Sequence, residues 1–146
     1  MKRHARSVGT FLAACALGAA ALAQVGDAVP QVPSGQRVTF VERVAPGRQT
    51  DPGGMTYVEE SVHFRFLAPA ISREGGRVTS AQAAQDMLFL CQHFVLPILT
   101  RQGEFPASIT ISMADRPVAF GEAAPQATQF FEVFRAENGK CDWGGL

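Results

Sequence analysis

The amino-acid sequence predicts an α+β fold, in which an antiparallel sheet of about four strands has one long helix packed across one face. Two stretches with strand-like patterns, residues 36–44 and 55–67, come before the one long helical pattern, and two more, residues 108–113 and 128–143, come after it. Strands grouped on both sides of a single helix, rather than alternating with several helices, are typical of this class. The predicted order is therefore β-β-α-β-β with a short C-terminal hairpin arm.

The first two predicted strands are joined by a predicted loop. Residues 36–44 alternate well enough for a strand, although Glu42 interrupts the apolar face. Residues 45–54 contain two prolines and three glycines, which favours a loop. Residues 55–67 alternate clearly and end before Pro69. The apolar faces would be formed by Val38, Phe40 and Val44 and by Val58, Val62, Phe64 and Phe66, and the polar face of the second strand by Tyr57, Glu59, Ser61, His63 and Arg65.

The helix is predicted over residues 80–101. Thr79 and Gln82 have the spacing of a capping box at its start. Pro97 lies inside the helix and should kink its last turn, because proline lacks the N–H group that the helix needs. The core-facing stripe, spaced at three and four residues, would comprise Ala84, Met87, Leu88, Cys91, Phe94, Val95 and Ile98.

The C-terminal part is predicted to add the remaining strands. Residues 108–113 alternate strictly, and residues 128–143 read as two strands joined at Asn138–Gly139, a pair typical of tight hairpin turns. Between them, residues 114–122 form a predicted loop. The inward side chains of the first of these strands would be Ile109, Ile111 and Met113.

The start of the chain predicts export. A basic N-terminus and an apolar run from Phe11 to Ala23 are typical of a signal peptide over residues 1–23, and cleavage between Ala23 and Gln24 uses the whole apolar run. A competing lipoprotein cleavage box ends at Cys15, which would then carry a lipid in an outer-membrane lipoprotein, but the apolar core before it would be poor. The run is too short to span a bilayer. We therefore expect a periplasmic protein without a transmembrane segment, with the lipid-anchored form as the alternative.

The mature chain would consist of a leader, residues 24–35, and a single domain, residues 36–146. It has 10 basic residues against 13 acidic residues, a net charge of about −3, which argues against a nucleic-acid partner. Removal of Cys15 leaves Cys91 and Cys141, and two cysteines in an oxidising compartment predict one disulfide.

Several stretches that cover most of the predicted domain carry a family resemblance. They are residues 32–40 (VPSGQRVTF), 64–71 (FRFLAPAI), 86–97, 109–122 (ITISMADRPVAFGE) and 128–143. On these stretches the chain resembles a family of short exported alphaproteobacterial proteins, a domain of unknown function. The resemblance implies export and a small domain of this fold, and it implies no activity, cofactor or catalytic residue.

The sequence favours the function of a non-enzymatic binding or accessory protein, whose partner would be a periplasmic or envelope protein. Two surfaces are candidates. One is the polar sheet face with the loop over residues 114–122, including Asp115, Arg116 and Phe120, with Trp143 nearby. The other is an apolar patch formed by Phe89 and Leu96 beside His93, on the side of the helix opposite the core stripe. The alternative for this patch is that the loop over residues 45–54 or the leader covers it.

The alternative is a small hydrolase-like enzyme that uses Asp115, Arg116 and His63. The sequence offers it little support, because it has no Gly-x-Ser-x-Gly motif. The two histidines of the mature chain, His63 and His93, fall on different elements without metal-ligand spacing, so no cofactor or metal is predicted.

Overall fold

The computed structural model describes residues 28–44, 48–50, 52–54, 56–58 and 61–144, and it confirms the α+β class. Both candidate cleavage sites, with Cys15, Ala23 and Gln24, lie outside these residues. Within the described part of the chain, no helix is long and apolar enough to cross a membrane. In chain order the strands are β1 (Thr39–Val44), β2 (Arg48–Thr50), β3 (Thr56–Val58), β4 (Ser61–Leu67), β5 (Ser108–Ala114), β6 (Gln129–Glu137) and β7 (Lys140–Trp143).

The main sheet has five strands in the order β1-β4-β5-β6-β7, and β2 pairs separately with β3. The predicted all-antiparallel sheet is wrong in one pair, because β4 and β5 run parallel. The chain between them includes the whole helix, and such a long crossover is what a parallel pair requires. The strand β2 also lies inside the predicted loop over residues 45–54.

One face of the main sheet packs on the helical layer and forms the core. The predicted inward side chains of β4 and β5 are all buried in this core; they are Val62, Phe64, Phe66, Ile109, Ile111 and Met113. Phe134 of β6 joins them and is fully buried. We call the opposite side of the sheet the outer face.

A β-bulge changes the predicted face of β1. The register shifts between Phe40 and Glu42, so that Phe40 still lies opposite Phe66 on the core face, whereas Val44 lies opposite His63 on the outer face. The prediction that Val44 shares a face with Phe40 is therefore wrong, because the extra residue of a bulge reverses the alternation that follows it.

Arg43 takes the core-side position that follows the bulge. Its guanidinium lies 5.7 Å from the centroid of the Phe64 ring and donates a hydrogen bond of 2.7 Å to the Gln102 side chain. It also forms an ion pair with Glu104, and this hydrogen-bonded contact lowers the pKa of the Glu104 carboxyl. Arg43 thus joins β1 to the end of the helical layer.

The predicted helix is present but is not α-helical throughout. It comprises α1 (Ser80–Leu90), a π-helical turn (Cys91–Val95) and α2 (Leu96–Gln102). The capping box of Thr79 and Gln82 is confirmed. The π turn lies directly before Pro97, whose ring would clash with the carbonyl group four residues earlier in a regular α-helix. The wider turn, in which the Leu96 N–H bonds to the Cys91 carbonyl, accommodates the proline.

The core stripe of the helix is rotated from the predicted one. Met87, Cys91, Phe94 and Val95 are buried as predicted, but Ala84, Leu88 and Ile98 are only half-buried. Ala83, Asp86, Leu90 and Leu99 complete the buried side instead.

The rotated stripe contains Asp86, a buried acidic side chain. Its carboxylate accepts hydrogen bonds from the Ser34 N–H (2.9 Å), the Ser34 hydroxyl and the Gln36 side chain (2.7 Å). A buried carboxylate that is fully engaged in this way is tolerated in a core. The same bonds hold the described part of the leader, where Val32 is also buried, against the domain.

The predicted disulfide between Cys91 and Cys141 is present, with 6.1 Å between the Cα atoms. It joins the π turn to β7. Next to it, the Gln92 side chain accepts a hydrogen bond from the Cys141 N–H and donates one to the Gly139 carbonyl, each 3.0 Å long. The predicted hairpin turn is also confirmed, because Asn138 and Gly139 both have positive φ angles, 52° and 75°.

Candidate functional site

The exposed apolar side chains of the described residues are concentrated on the outer face. Phe131 and Val133 of β6 point there, since they alternate with the buried Phe134, and both are well exposed. Val41, beside the bulge of β1, is exposed on the same side and lines a groove with outer-face residues. Phe120, 55% exposed, reaches the outer face from the segment between β5 and β6.

Arg65 fastens that segment to the sheet. We call residues 115–128, which connect β5 to β6, the crossing loop. The Arg65 guanidinium donates a hydrogen bond of 2.6 Å to the Val118 carbonyl and lies 5.5 Å from the centroid of the Phe120 ring. It also forms an ion pair with Glu42. Arg65 is therefore buried, although its strand position faces outward, because the crossing loop covers it.

His63 lies at the centre of an aromatic cluster on the outer face. Its ring centroid is 5.7 Å from that of Phe120 and 6.1 Å from that of Phe131. Its Nε2 atom is 2.7 Å from the Ser112 hydroxyl oxygen, a hydrogen bond between β4 and β5. These contacts give a sheet surface with two exposed aromatic rings held around a hydrogen-bonded histidine.

Asp115 holds the base of the crossing loop. Its buried carboxylate accepts hydrogen bonds from the Arg116 guanidinium (3.0 and 3.3 Å) and from the Thr128 N–H (3.1 Å). The Arg116 hydrogen bonds lower the pKa of the Asp115 carboxyl, against the opposing effect of burial. Hydrogen bonds from the Ser72 side chain and from the Thr128 N–H act in the same direction as Arg116. Asp115 is thus a loop-closing residue, with Arg116 as its ion-pair partner.

A groove of about 380 Å³ runs between the sheet and the crossing loop. Its lining is mainly apolar, with a few polar groups, as is usual for sites that take an apolar group in a fixed orientation. The apolar part includes Val41, Leu67, Ala114, Pro117 and Val118, and the polar part includes Ser112, Gln129 and Arg116.

The structure separates the residues that the sequence analysis grouped. Arg116 lines the groove on the outer side and Phe120 reaches the outer face, whereas Asp115 is buried at the base of the crossing loop. Trp143, which was expected near Asp115 and Arg116, lies on the other side of the sheet, because it is paired with the core residue Phe134. The two rings are in contact at a tilt of 43°, with their centroids 5.1 Å apart.

The proposed apolar patch on the helix is not an exposed patch. Phe89 and Leu96 are half-buried and pack against the core. His93 is exposed and stacks on Phe89 at a centroid distance of 4.3 Å. Leu96 lines only a shallow depression beside Pro97 and Gly139. Because the buried stripe of the helix is rotated from the predicted one, Phe89 and Leu96 pack at the border of the core instead of opposite to it.

Sequence reasoning identified the polar side of β4 but not the partners that complete the site. Val41 was missed because the bulge was not predicted, and Phe131 because it follows Phe130, so that alternation alone left its face open. Ser112 meets His63 only through the parallel pairing of β4 and β5. Among the residues that the structure describes, no three His, Cys, Asp or Glu side chains lie close enough together to hold a metal ion.

The fold and the site define a small α+β domain with one open sheet face that is partly crossed by a loop. The chain belongs to a family of unknown function, DUF6497, whose model matches residues 12–146. No curated protein and no solved structure matched the chain.

Proposed function

We propose that this protein is an exported, non-enzymatic binding protein that acts in the periplasm through the outer face and the crossing loop. The observation that carries the proposal is the position of the exposed apolar side chains: Val41, Phe120, Phe131 and Val133 all lie on this one side of the sheet. Several exposed apolar side chains on one face of a domain are typical of an interaction surface.

Two arginines of this surface are paired within the chain, which favours a partner that contacts the surface through uncharged, apolar groups. The buried guanidinium of Arg65 is engaged by Glu42 and by the Val118 carbonyl. Arg116 is engaged by Asp115. Since these charges are balanced within the chain, the surface favours a partner that presents apolar side chains to Phe131 and to the groove, with hydrogen-bonding groups for Ser112 and Gln129.

Site-specific photo-cross-linking tests this proposal. A benzoyl-phenylalanine residue placed at Phe131 should form a cross-linked protein adduct in the native host cells. The same residue placed at Phe105 is the matched control, because Phe105 is the most exposed large apolar side chain in the described residues and belongs to the connection between α2 and β5 rather than to a strand of the sheet. We expect an adduct from position 131 only.

Equal adducts from both positions would indicate non-specific contact and would contradict the proposal. Absence of any adduct from position 131, with the protein folded and exported, would contradict it as well. Cell fractionation of the same samples tests the periplasmic location, and recovery in the cytoplasmic fraction would refute that part alone.

One contact favours a second candidate function, that of a small hydrolase. The hydrogen bond between His63 and the Ser112 hydroxyl is a pairing of a base with a nucleophile of the kind found in acyl-transfer enzymes. Asp115 and Arg116, the other residues of the predicted enzyme site, are engaged with each other at the base of the crossing loop.

The position of Ser112 weakens the hydrolase candidate. The serine is buried in β5, an interior strand of the sheet. The backbone N–H groups of β5 bond to the neighbouring strands on both sides, so they are not available to stabilise an oxyanion. Covalent labelling by a fluorophosphonate probe that is lost in Ser112→Ala would establish the enzyme. We expect no labelling of Ser112.

A further inference from the structure

We propose that this protein binds the phosphate group of a phosphate monoester, or free phosphate, through Arg37 and Arg77. These two residues line a depression of about 400 Å³ between the chain just after the leader and the connection from β4 to α1. The lining of this depression shares no residue with the groove on the outer face. The phosphate site is therefore separate from the proposed function and does not depend on it.

The two arginines of the depression have guanidinium groups that the fold does not use. Both residues are exposed, and within the part of the chain that the structure describes neither guanidinium has a hydrogen bond or an ion pair. By contrast, the fold itself engages the guanidinium groups of Arg43, Arg65, Arg73 and Arg116. Arg37 and Arg77 thus have donors available for a ligand, and they occur in the same depression.

The backbone is anchored on both sides of the depression. The Arg77 N–H donates a hydrogen bond of 2.9 Å to the Ala70 carbonyl. A Cβ atom at Gly76 would lie 2.6 Å from the same carbonyl oxygen, so this close approach requires glycine. On the opposite side, Arg37 directly follows Gln36, whose side chain is buried and hydrogen-bonded. Both arginines therefore extend from fixed backbone, which lowers the entropy that is lost when a ligand binds.

Two guanidinium groups match one phosphate monoester better than they match one carboxylate. Each guanidinium can donate two parallel hydrogen bonds to a pair of oxygens. A phosphate monoester offers three acceptor oxygens and a charge of about −1.5 to −2 at neutral pH. A carboxylate offers two oxygens and a single charge. One phosphate group can therefore accept hydrogen bonds from both arginines, whereas one carboxylate matches only one of them.

The charge of the depression also favours an anion. Its lining contains two arginines and one acidic residue, Glu74, which gives a net charge of +1. The charge of Glu74 is shared with Arg116, since the pKa of the Arg116 guanidinium is raised mainly by Asp115 and to a smaller extent by Glu74. The predicted mature chain has a net charge of about −3. The depression is thus a positive region on an otherwise acidic chain, and such a region attracts anions.

An NMR titration of the purified protein with sodium phosphate, at constant ionic strength, tests the site. We expect the backbone amide signals of residues 75–77 to shift and to reach saturation. Arg37→Ala and Arg77→Ala should each weaken phosphate binding by at least about tenfold, because each removes charge-assisted hydrogen bonds. Arg135→Ala, at an exposed position of β6, is the matched control and should leave phosphate binding unchanged.

Two further ligands distinguish the chemistry and the source of the phosphate. Acetate at the same ionic strength should give no saturating shift. Vesicles of phosphatidylcholine that contain phosphatidic acid, a lipid phosphate monoester, test a membrane source. Binding to these vesicles that is lost in Arg77→Ala would place the phosphate on a lipid, whereas binding of phosphate without binding of vesicles would indicate a soluble ligand.

Arg77→Lys covers the case in which an alanine variant does not fold. It keeps the charge but lacks the paired donors, so it should also weaken phosphate binding. The proposal would be overturned by an absence of binding to both phosphate and vesicles, by an equal response to acetate, or by binding that all of the Arg37 and Arg77 variants retain. An equal loss of binding in Arg135→Ala would overturn it as well. The photo-cross-link at position 131 does not involve this site, so these results leave the proposed function unaffected.

Discussion

Asp115 shows how one side chain can resemble a catalytic group while serving the structure. It directly follows β5 and is next to Arg116, which lines an open groove, and many catalytic acids have a setting of this kind. Its oxygens are nevertheless occupied by the Arg116 guanidinium and by the Thr128 N–H. The carboxylate therefore fixes both ends of the crossing loop, and the loop in turn positions Phe120.

We expect the protein to lose stability in acid, because the Asp115 carboxylate becomes protonated there. Its pKa is lowered in the folded state, so its stabilising effect is present above the ordinary pKa of about 4 and is lost as the pH falls through the lower, folded value. Asp115→Asn should reduce stability at neutral pH by about 1–3 kcal/mol and should flatten the acid dependence.

Thermal melting at neutral pH and at about pH 3 measures both effects. Glu122→Gln, at an exposed position of the same crossing loop, is the control and should change the stability by no more than about 0.5 kcal/mol. An Asp115→Asn protein with an unchanged acid dependence would show that other carboxyl groups dominate it.

At the scale of elements, two contacts tie the helical layer to the C-terminal hairpin. The disulfide joins Cys91 of the π turn to Cys141 of β7, and Gln92 bonds to the backbone of the same hairpin. Cys91 and Gln92 are both in the π turn that precedes Pro97. The proline therefore influences the point at which helix and hairpin meet.

We expect the double variant Cys91→Ala, Cys141→Ala to lose roughly 4 kcal/mol of unfolding free energy. The disulfide spans a sequence separation of 50 residues, and the chain-entropy model assigns about this amount to a loop of that length. Urea unfolding of the oxidised protein, the reduced protein and the double variant gives the comparison. The reduced protein should match the double variant, and a loss below about 1 kcal/mol would mean that packing and Gln92 alone hold the hairpin.

At the scale of the whole molecule, the predicted export and its cleavage site would decide the chemical state of the chain. Cleavage between Ala23 and Gln24 leaves two cysteines for the single disulfide, whereas cleavage before Cys15 leaves three and adds a lipid. We expect the intact mass of protein recovered from the periplasm to correspond to a chain that begins at Gln24. A lipid-bearing mass that begins at Cys15 would instead establish the lipoprotein. A Cys15→Ala variant, which cannot be lipidated, should be processed in the same way as the unchanged protein.

The sequence by itself determined the α+β class, the capping box at Thr79, the inward faces of β4 and β5, the hairpin at Asn138–Gly139 and the disulfide. Each depends on local spacing or on cysteine parity, which are properties of the chain alone. The tertiary structure decided the parallel pairing of β4 with β5, the bulge that turns Val44 outward, the burial of Asp86 and the contact between His63 and Ser112. These depend on partners 19 to 50 residues apart in the chain. Local periodicity has no information on such partners, because it records which side chains alternate and not which strand or loop lies opposite them.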